Sequence, residues 1–379
     1  MNAQPQRPGW TTGWIILQMV LLAAVLWILP GGAIEGGVAP VLIGSRANVL
    51  TAAGLLALGL TAFVAPGSRL QGLLYAVAGV LLGLMLLLAV RDGLSFEGPA
   101  IASWILIFAI CAYVWRGLSI LSRAEGRETG FLVPLLFGGL LLYLWEVATV
   151  GFEVPGILLP PPSSIWQVFA ANLDTLWMDF QQTFIKSVVP GYVIGCAIGF
   201  LTAVVVDRSP FLQRGLLPIG SLVSAMPIIG IAPVMVMWFG FDWQSKAAVV
   251  VVMTFFPMLV NTLAGLQSAG DMERDLMRSY AASYLQTLLK LRLPGALPFV
   301  FNALKLNSTL ALIGAIVAEF FGTPIRGMGF RISSEVARLN VDMVWATIAV
   351  AALAGSASYG LLVLLERSTT FWHPSFRRQ

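Results

Sequence analysis

Apolar runs about as long as a bilayer is thick recur along this chain, separated by short polar connections. Ten candidate spans can be drawn, over roughly 13–30, 48–65, 70–90, 99–118, 131–150, 183–206, 216–239, 246–264, 298–320 and 343–365. Runs of about 20 apolar residues are what a helix needs to cross the hydrocarbon core. In lipid every backbone polar group must be paired within the protein, which helices achieve and open sheets do not. The alternating pattern of an outer-membrane barrel is absent. The pattern predicts an all-α polytopic membrane protein. The first run follows a single Arg7, with no small-x-small cleavage site before Glu35. It therefore reads as an uncleaved span, not a signal peptide.

Composition agrees. Charged residues are 11% of the 379, against about 25% in soluble domains, and mean hydropathy is +0.87. The formal charge of +4 is not gathered on a soluble face, so nucleic acid is not an expected partner. Cys111 and Cys196 both lie in apolar runs, which argues against a disulfide and supplies no metal site. His373 is the only histidine and sits in the polar tail, and there is no HExxH motif. No catalytic residues, metal or cofactor are expected, and the chain does not read as an enzyme.

Lys and Arg set the orientation. With the N-terminus inside, fourteen fall in cytoplasmic segments and seven on the other side, with Lys305 inside a span. Both termini are expected to be cytoplasmic, which puts the longest internal loop, 265–297, in the cytoplasm as well.

Within that loop lies RSYAASYLQTLLKLRLP, residues 278–294. Leu276, Tyr280, Tyr284, Leu288 and Leu291 recur at steps of four, four, four and three, which predicts one face of a helix. Arg278, Gln286 and Lys290 lie opposite. Asp275 suits the helix start, and Pro294 after Leu293 ends the segment. Two readings follow: an amphipathic helix lying on the anionic inner leaflet, or a docking helix for a soluble partner.

The loop resembles the E-A-A-x3-G-x9-I-x-L-P segment of bacterial ABC importer permeases. Asp275, Leu276 and Met277 take the E-A-A places, Ala281 that of the glycine, and Leu291-Arg292-Leu293-Pro294 the I-x-L-P end. The spacing matches, while the two alanines and the glycine are replaced. LLPPPSSIW (158–166), AMPIIGIAPVMVMWFG (225–240) and LKLNSTLALIGAIVAEFFG (304–322) are similar to segments of the nitrate, taurine and alkanesulfonate branch of that family.

The resemblance implies a six-helix permease core over 126–379, with residues 1–125 as a four-helix extension ending in the linker SRAEGRETG. It implies docking of cytoplasmic ATPase subunits through Asp275, Arg278, Tyr280, Ala281, Ala282, Tyr284, Leu293 and Pro294. A second permease subunit, an external or periplasmic substrate-binding protein and the lipid of a bacterial inner membrane complete the implied partners. The ATPases must be other chains, because no GxxxxGK[ST] loop is present.

Gly191, Gly195 and Gly199 form a small-residue stripe suited to close helix approach. Pro218, Pro227 and Pro233 interrupt the seventh run, either as a kink or as part of a cavity wall. Polar residues in spans are costly and face protein or water. On that ground Met226, Asn261, Asn307 and Glu319 are candidate wall residues of a translocation path. Lys305 is expected to snorkel to the inner surface.

An ion-coupled secondary transporter is the alternative. Such proteins show paired halves and midplane ionisable sites, and no convincing repeat or set of midplane carboxylates is visible here. On the permease reading, the cargo is a small polar organic molecule or anion. The stretch from Met277 to Lys305 looks closer to pyrimidine- and vitamin-precursor members than to the sulfonate ones.

Overall fold

A computed structural model describes residues 46–61, 64, 67–91, 101–123, 129–224, 226–322 and 325–371. Among these there are helices and no strands. The candidate span 13–30 lies outside the described residues. The chain divides into two compact units, Met1–Ser164 and Ile165–Gln379.

In the first unit, α1 (Arg46–Thr61), α2 (Arg69–Arg91), α3 (Ile101–Leu121) and α4 (Thr129–Gly151) follow one another. Gly117 lets α3 lie against α2: a Cβ there would stand 2.8 Å from both Ala76 N and Gly72 O. Tyr75 and Tyr113 stack across the same contact, 6.1 Å between ring centres.

The second unit begins within α5 (Pro162–Ala171). It continues with α6 (Leu173–Asp207), α7 (Pro210–Ser224), α8 (Ile228–Phe239), α9 (Trp243–Gln267), α10 (Asp271–Ser279), α11 (Tyr284–Glu319), α12 (Met328–Ala337) and α13 (Val341–Thr369). α6 and α11 each contain a π-helical stretch, at Gln181–Val188 and Leu288–Arg292.

The glycine stripe is the reason α6 and α9 touch backbone to backbone. A Cβ on Gly191 would reach Ala247 O at 2.6 Å, one on Gly199 would reach Phe255 O at 2.5 Å, and one on Gly195 would overlap Thr254 Oγ1. α11 joins this pair through Asn307, fully buried, whose amide donates to Thr254 O at 2.8 Å and to Cys196 Sγ at 3.3 Å. In hydrocarbon such a bond replaces water that is not there, so α6, α9 and α11 form the fixed centre of the unit.

Three expectations change, and the described residues do not decide the count of ten spans. Among the described residues, six helices are long and apolar enough to span a membrane, with two shorter apolar ones, Ile107–Leu121 and Ile228–Phe239. The run 216–239 is two helices, because Pro227 takes an extended conformation with ψ 127° and separates α7 from α8. Two spans are longer than their apolar runs: α6 starts at Leu173 and α11 at Tyr284, so polar turns extend both. Lys305 does not snorkel freely but pairs with Glu366 of α13 at 2.8 Å.

Candidate coupling hinge and translocation helices

Residues 265–297 fold as a hinge, not as one helix. Gly270 precedes α10 with extended backbone, and the Glu273 carboxylate reaches back to its N–H at 3.1 Å. Asp271 and Glu273 sit in the first turn and Arg278 in the last, each on the side the helix dipole favours. α10 then stops at Tyr280. Ala282 N–H donates to Met277 O at 3.0 Å and Ala281 N–H to Arg278 O at 2.9 Å, with Ala281 left-handed at φ 51°. This is the Schellman ending, in which that position is usually glycine. The alanine at the glycine place of the loop pattern makes the turn nonetheless.

The chain restarts immediately. Ser283 Oγ accepts from Gln286 N–H at 3.4 Å, and Gln286 Oε1 accepts from Ser283 N–H at 2.8 Å, a capping box that opens α11. The predicted stripe is therefore divided. Leu276 (57% exposed) and Tyr280 (79%) belong to the free arm, and Leu288, 6% exposed, is buried against Leu266 and Ala296. Leu293 packs against that cluster, and Pro294 lies inside the continuous α11 instead of ending a helix. A proline in the first turn of Leu293–Glu319 follows a π-helical stretch, whose shifted bonding accommodates its missing N–H.

The start of α11 is bound to the membrane helices. Arg292 grips Asp207, the last residue of α6, with both terminal nitrogens, and its Nε donates to Leu266 O at 2.9 Å. Tyr284 donates its hydroxyl to Asp207 Oδ2 at 3.2 Å, and the Arg208 guanidinium lies 5.3 Å from its ring centre. Asp275 and Arg278 form an exposed pair at 3.1 Å. Met272, Leu276, Tyr280, Leu285 and Leu289 all stay exposed.

The four path candidates have different settings. Met226 is exposed beside the α7–α8 break. Asn261 is half-buried and donates to Pro257 O at 2.8 Å, the carbonyl one turn back in its own helix. Asn307 is locked between helices as described above. Glu319 is 2% exposed and ends α11.

Around Glu319 the opposite end of the unit holds a polar cluster. The free N–H groups at the start of α12 go to side chains: Gly327 to Asp179 Oδ1 at 2.8 Å, Met328 to Thr183 Oγ1 at 2.7 Å, and Gly329 to Glu319 Oε2 at 2.7 Å. The Thr183 hydroxyl donates to Glu319 Oε1 at 2.8 Å, and Arg331 Nε donates to Asp179 Oδ2 at 2.8 Å. Burial works against the charge on Arg331, but the Asp179 and Glu335 carboxylates outweigh it and raise its pKa above the ordinary value. Lys246 donates to the carbonyls of Phe241 and Gly322. Hydropathy does not single out Asp179, Thr183 or Arg331. The pair of glycines in RGMG, at the start of α12, is the local sign of a crowded approach.

Comparison with known proteins shows the family. Residues 195–371 match the family described as "Binding-protein-dependent transport system inner membrane component". A probable ABC transporter permease protein of Haemophilus influenzae is 33% identical over 220 residues, 58% of this chain and 89% of that one. The taurine transport system permease protein TauC of Escherichia coli is 30% identical over 271 residues, 67% of this chain and 92% of its own. The formylaminopyrimidine transport permease protein ThiX of Halalkalibacterium halodurans is 28% identical over 246 residues, 65% and 98%.

Proposed function

The chain belongs to the binding-protein-dependent ABC transporter permeases of the nitrate, taurine and sulfonate type, and from that premise we propose that α10 and the start of α11 are the elements through which ATPase subunits drive it. It is a multi-pass inner-membrane transport subunit and not an enzyme. Membership in this family removes the case for an ion-coupled secondary transporter. Its work is to let helices move while separate ATPases hydrolyse ATP and a binding protein delivers cargo.

The observation that carries the docking proposal is the hinge itself. Met272, Leu276 and Tyr280 stand exposed on an arm whose base is fixed to α6 by Asp207 and Arg292. A partner that seats on the arm can pull on α6 and α11 together. Tyr280 is the anchor we assign to the ATPase contact, with Asp275 and Arg278 at its rim and Ala281 and Ala282 small enough for close approach. Tyr284, tied to Asp207, supports the anchor from behind.

The remaining assignments extend that reading. Residues 126–379 form the permease core, 1–125 are an added membrane module, and both termini face the cytoplasm. Two permease subunits enclose the path. Met226 and Asn261 supply its wall, and Asn307 and Glu319 hold the helices behind it. The cargo is a small polar organic molecule of the nitrogen-heterocycle precursor class, supported by the likeness to the formylaminopyrimidine permease ThiX and the riboflavin permease RibX. Binding of formylaminopyrimidine, riboflavin and taurine to the cognate binding protein decides the class. Tight binding of taurine alone would overturn the heterocycle assignment.

Docking is tested by ATPase retention during purification. Ala281→Trp releases the ATPase or uncouples it while the permease still inserts, and Arg278→Glu with Lys290→Glu has the smaller effect. Full retention and coupling in the tryptophan variant, with loss on charge reversal, would instead mark the segment as a lipid-surface helix.

A further inference from the structure

The cluster at the start of α12 is unused by the coupling reading, yet its buried side chains are closely bonded to one another and to backbone amides. Asp179 and Thr183 are fully buried and Glu319 is 2% exposed. Two of these acceptors come from α6 and one from α11, and they converge on three successive amides of a third element. Thr183 is used in both directions, accepting from Met328 and donating to Glu319. We propose that Asp179, Thr183 and Glu319 are positioning residues of the transport cycle: they clamp the ends of α6 and α11 onto α12, so that the three move as one block when that face opens.

Energetics favour a closed clamp. Buried amides and carboxylates parted here have no water to turn to, and each orphaned group bears its full desolvation cost.

Geometry also forbids sliding. Gly327 sits at φ 134°, and a Cβ there would stand 2.7 Å from the Glu319 carboxylate. At Gly329 a Cβ would overlap Ile316 O and lie 2.8 Å from Glu319 Cβ. α12 therefore fits α11 in one register. Lys246 extends the block by binding the carbonyls after α8 and after α11. The charged groups facing the cluster are Asp179, Glu319, Lys246, Arg331 and Glu335.

The proposal rests on the permease reading only in that the block must move during transport. Hydrogen exchange of residues 327–329 tests it, measured on the assembled transporter without nucleotide and after trapping with Mg-ATP and vanadate. The clamp predicts equal protection in both states. Thr183→Val keeps the shape and removes the hydroxyl. It should speed exchange at these amides about tenfold or more and raise ATP hydrolysis in the absence of binding protein, and Thr183→Ser should restore both. Glu319→Gln carries the same readouts if the valine variant does not assemble. Deprotection of the wild-type amides on vanadate trapping would overturn the proposal, because the clamp would then open in the cycle. So would Thr183→Val behaving as wild type, or hydrolysis that merely falls with the amount assembled. If the ATPase does not bind the wild-type chain, the docking reading fails instead, and exchange on the isolated permease with and without Thr183→Val still decides whether the clamp holds.

Discussion

Arg292 holds Asp207 through two parallel bonds, Nη1 to Oδ2 at 2.6 Å and Nη2 to Oδ1 at 2.7 Å, across 85 residues of chain. Such a fork fixes direction as well as distance. It sets the start of α11 against the end of α6, at the base of the arm that α10 forms.

The Asp207 side chain is 1% exposed and that of Arg292 15%, so removing one partner strands the other. Breaking a pair of this kind costs about 3 kcal/mol or more when it is well buried. Asp207→Ala is expected to lower the thermal unfolding midpoint of the purified permease clearly. Asp207→Ala combined with Arg292→Met should cost less than the single change, since no charge is left unpaired. Strictly additive losses would show that the two side chains act independently.

At Ala281 the expectation runs the other way. An L-residue in the left-handed region costs roughly 1 kcal/mol, so Ala281→Gly should stabilise the turn, by at most that much, while keeping the ATPase bound. Ala281→Val, β-branched at φ 51°, should loosen it. Proteolysis within 278–284 of the purified permease reads both. Faster cleavage of the glycine variant than of the wild type would contradict the strain assigned here.

What the sequence made legible follows from which forces act locally. Most of the apolar spans and the small-residue stripe were readable, because apolar length and missing side chains are written residue by residue. The break of the stripe at Tyr280 was not read, although S-Y-L-Q at 283–286 is a helix-start signature and could have revealed it. Leu288 followed the helical period correctly but faces a different neighbour from Leu276, because the turn reorients everything after it. The early starts of α6 and α11 escaped because hydropathy ends where polar turns begin, although the helix continues. The cluster of Asp179, Thr183 and Glu319 was least legible. Thr183 and Glu319 lie 136 residues apart, and only the closed fold brings them together.

The helix stripe separates two kinds of glycine. A Cβ at Gly195 would overlap Thr254 Oγ1 and lie 2.9 Å from Val251 O, and the backbone there cannot withdraw. At Gly314 the obstacle is Met253 Sδ, part of a flexible side chain that can swing aside. Gly195→Ala is expected to lose about 1–3 kcal/mol by overpacking, and Gly314→Ala well under that. Unfolding of the two variants in the same detergent provides the comparison, and equal losses would count against backbone contact between α6 and α9.

Orientation is the prediction on which the placement of both ends depends. α11 has 36 residues, and at 1.5 Å per residue a straight helix of that length is roughly 54 Å long. A bilayer core is about 30 Å thick, so the hinge before Tyr284 and the clamp after Glu319 stand on opposite sides of the membrane. One determination of sidedness therefore places both. The fourteen-to-seven excess of Lys and Arg, counted on the ten-span reading, is the ground for expecting the hinge in the cytoplasm. Reporter fusions after Arg123 and after Arg378 should report inside, and fusions near Trp166 and Arg331 outside. A fusion inside the hinge, at Gly270, should agree with the first pair. An external signal at Gly270 would remove the ATPase from reach of α10 and turn the α12 clamp to the cytoplasm, so the coupling assignment would fail at its first premise.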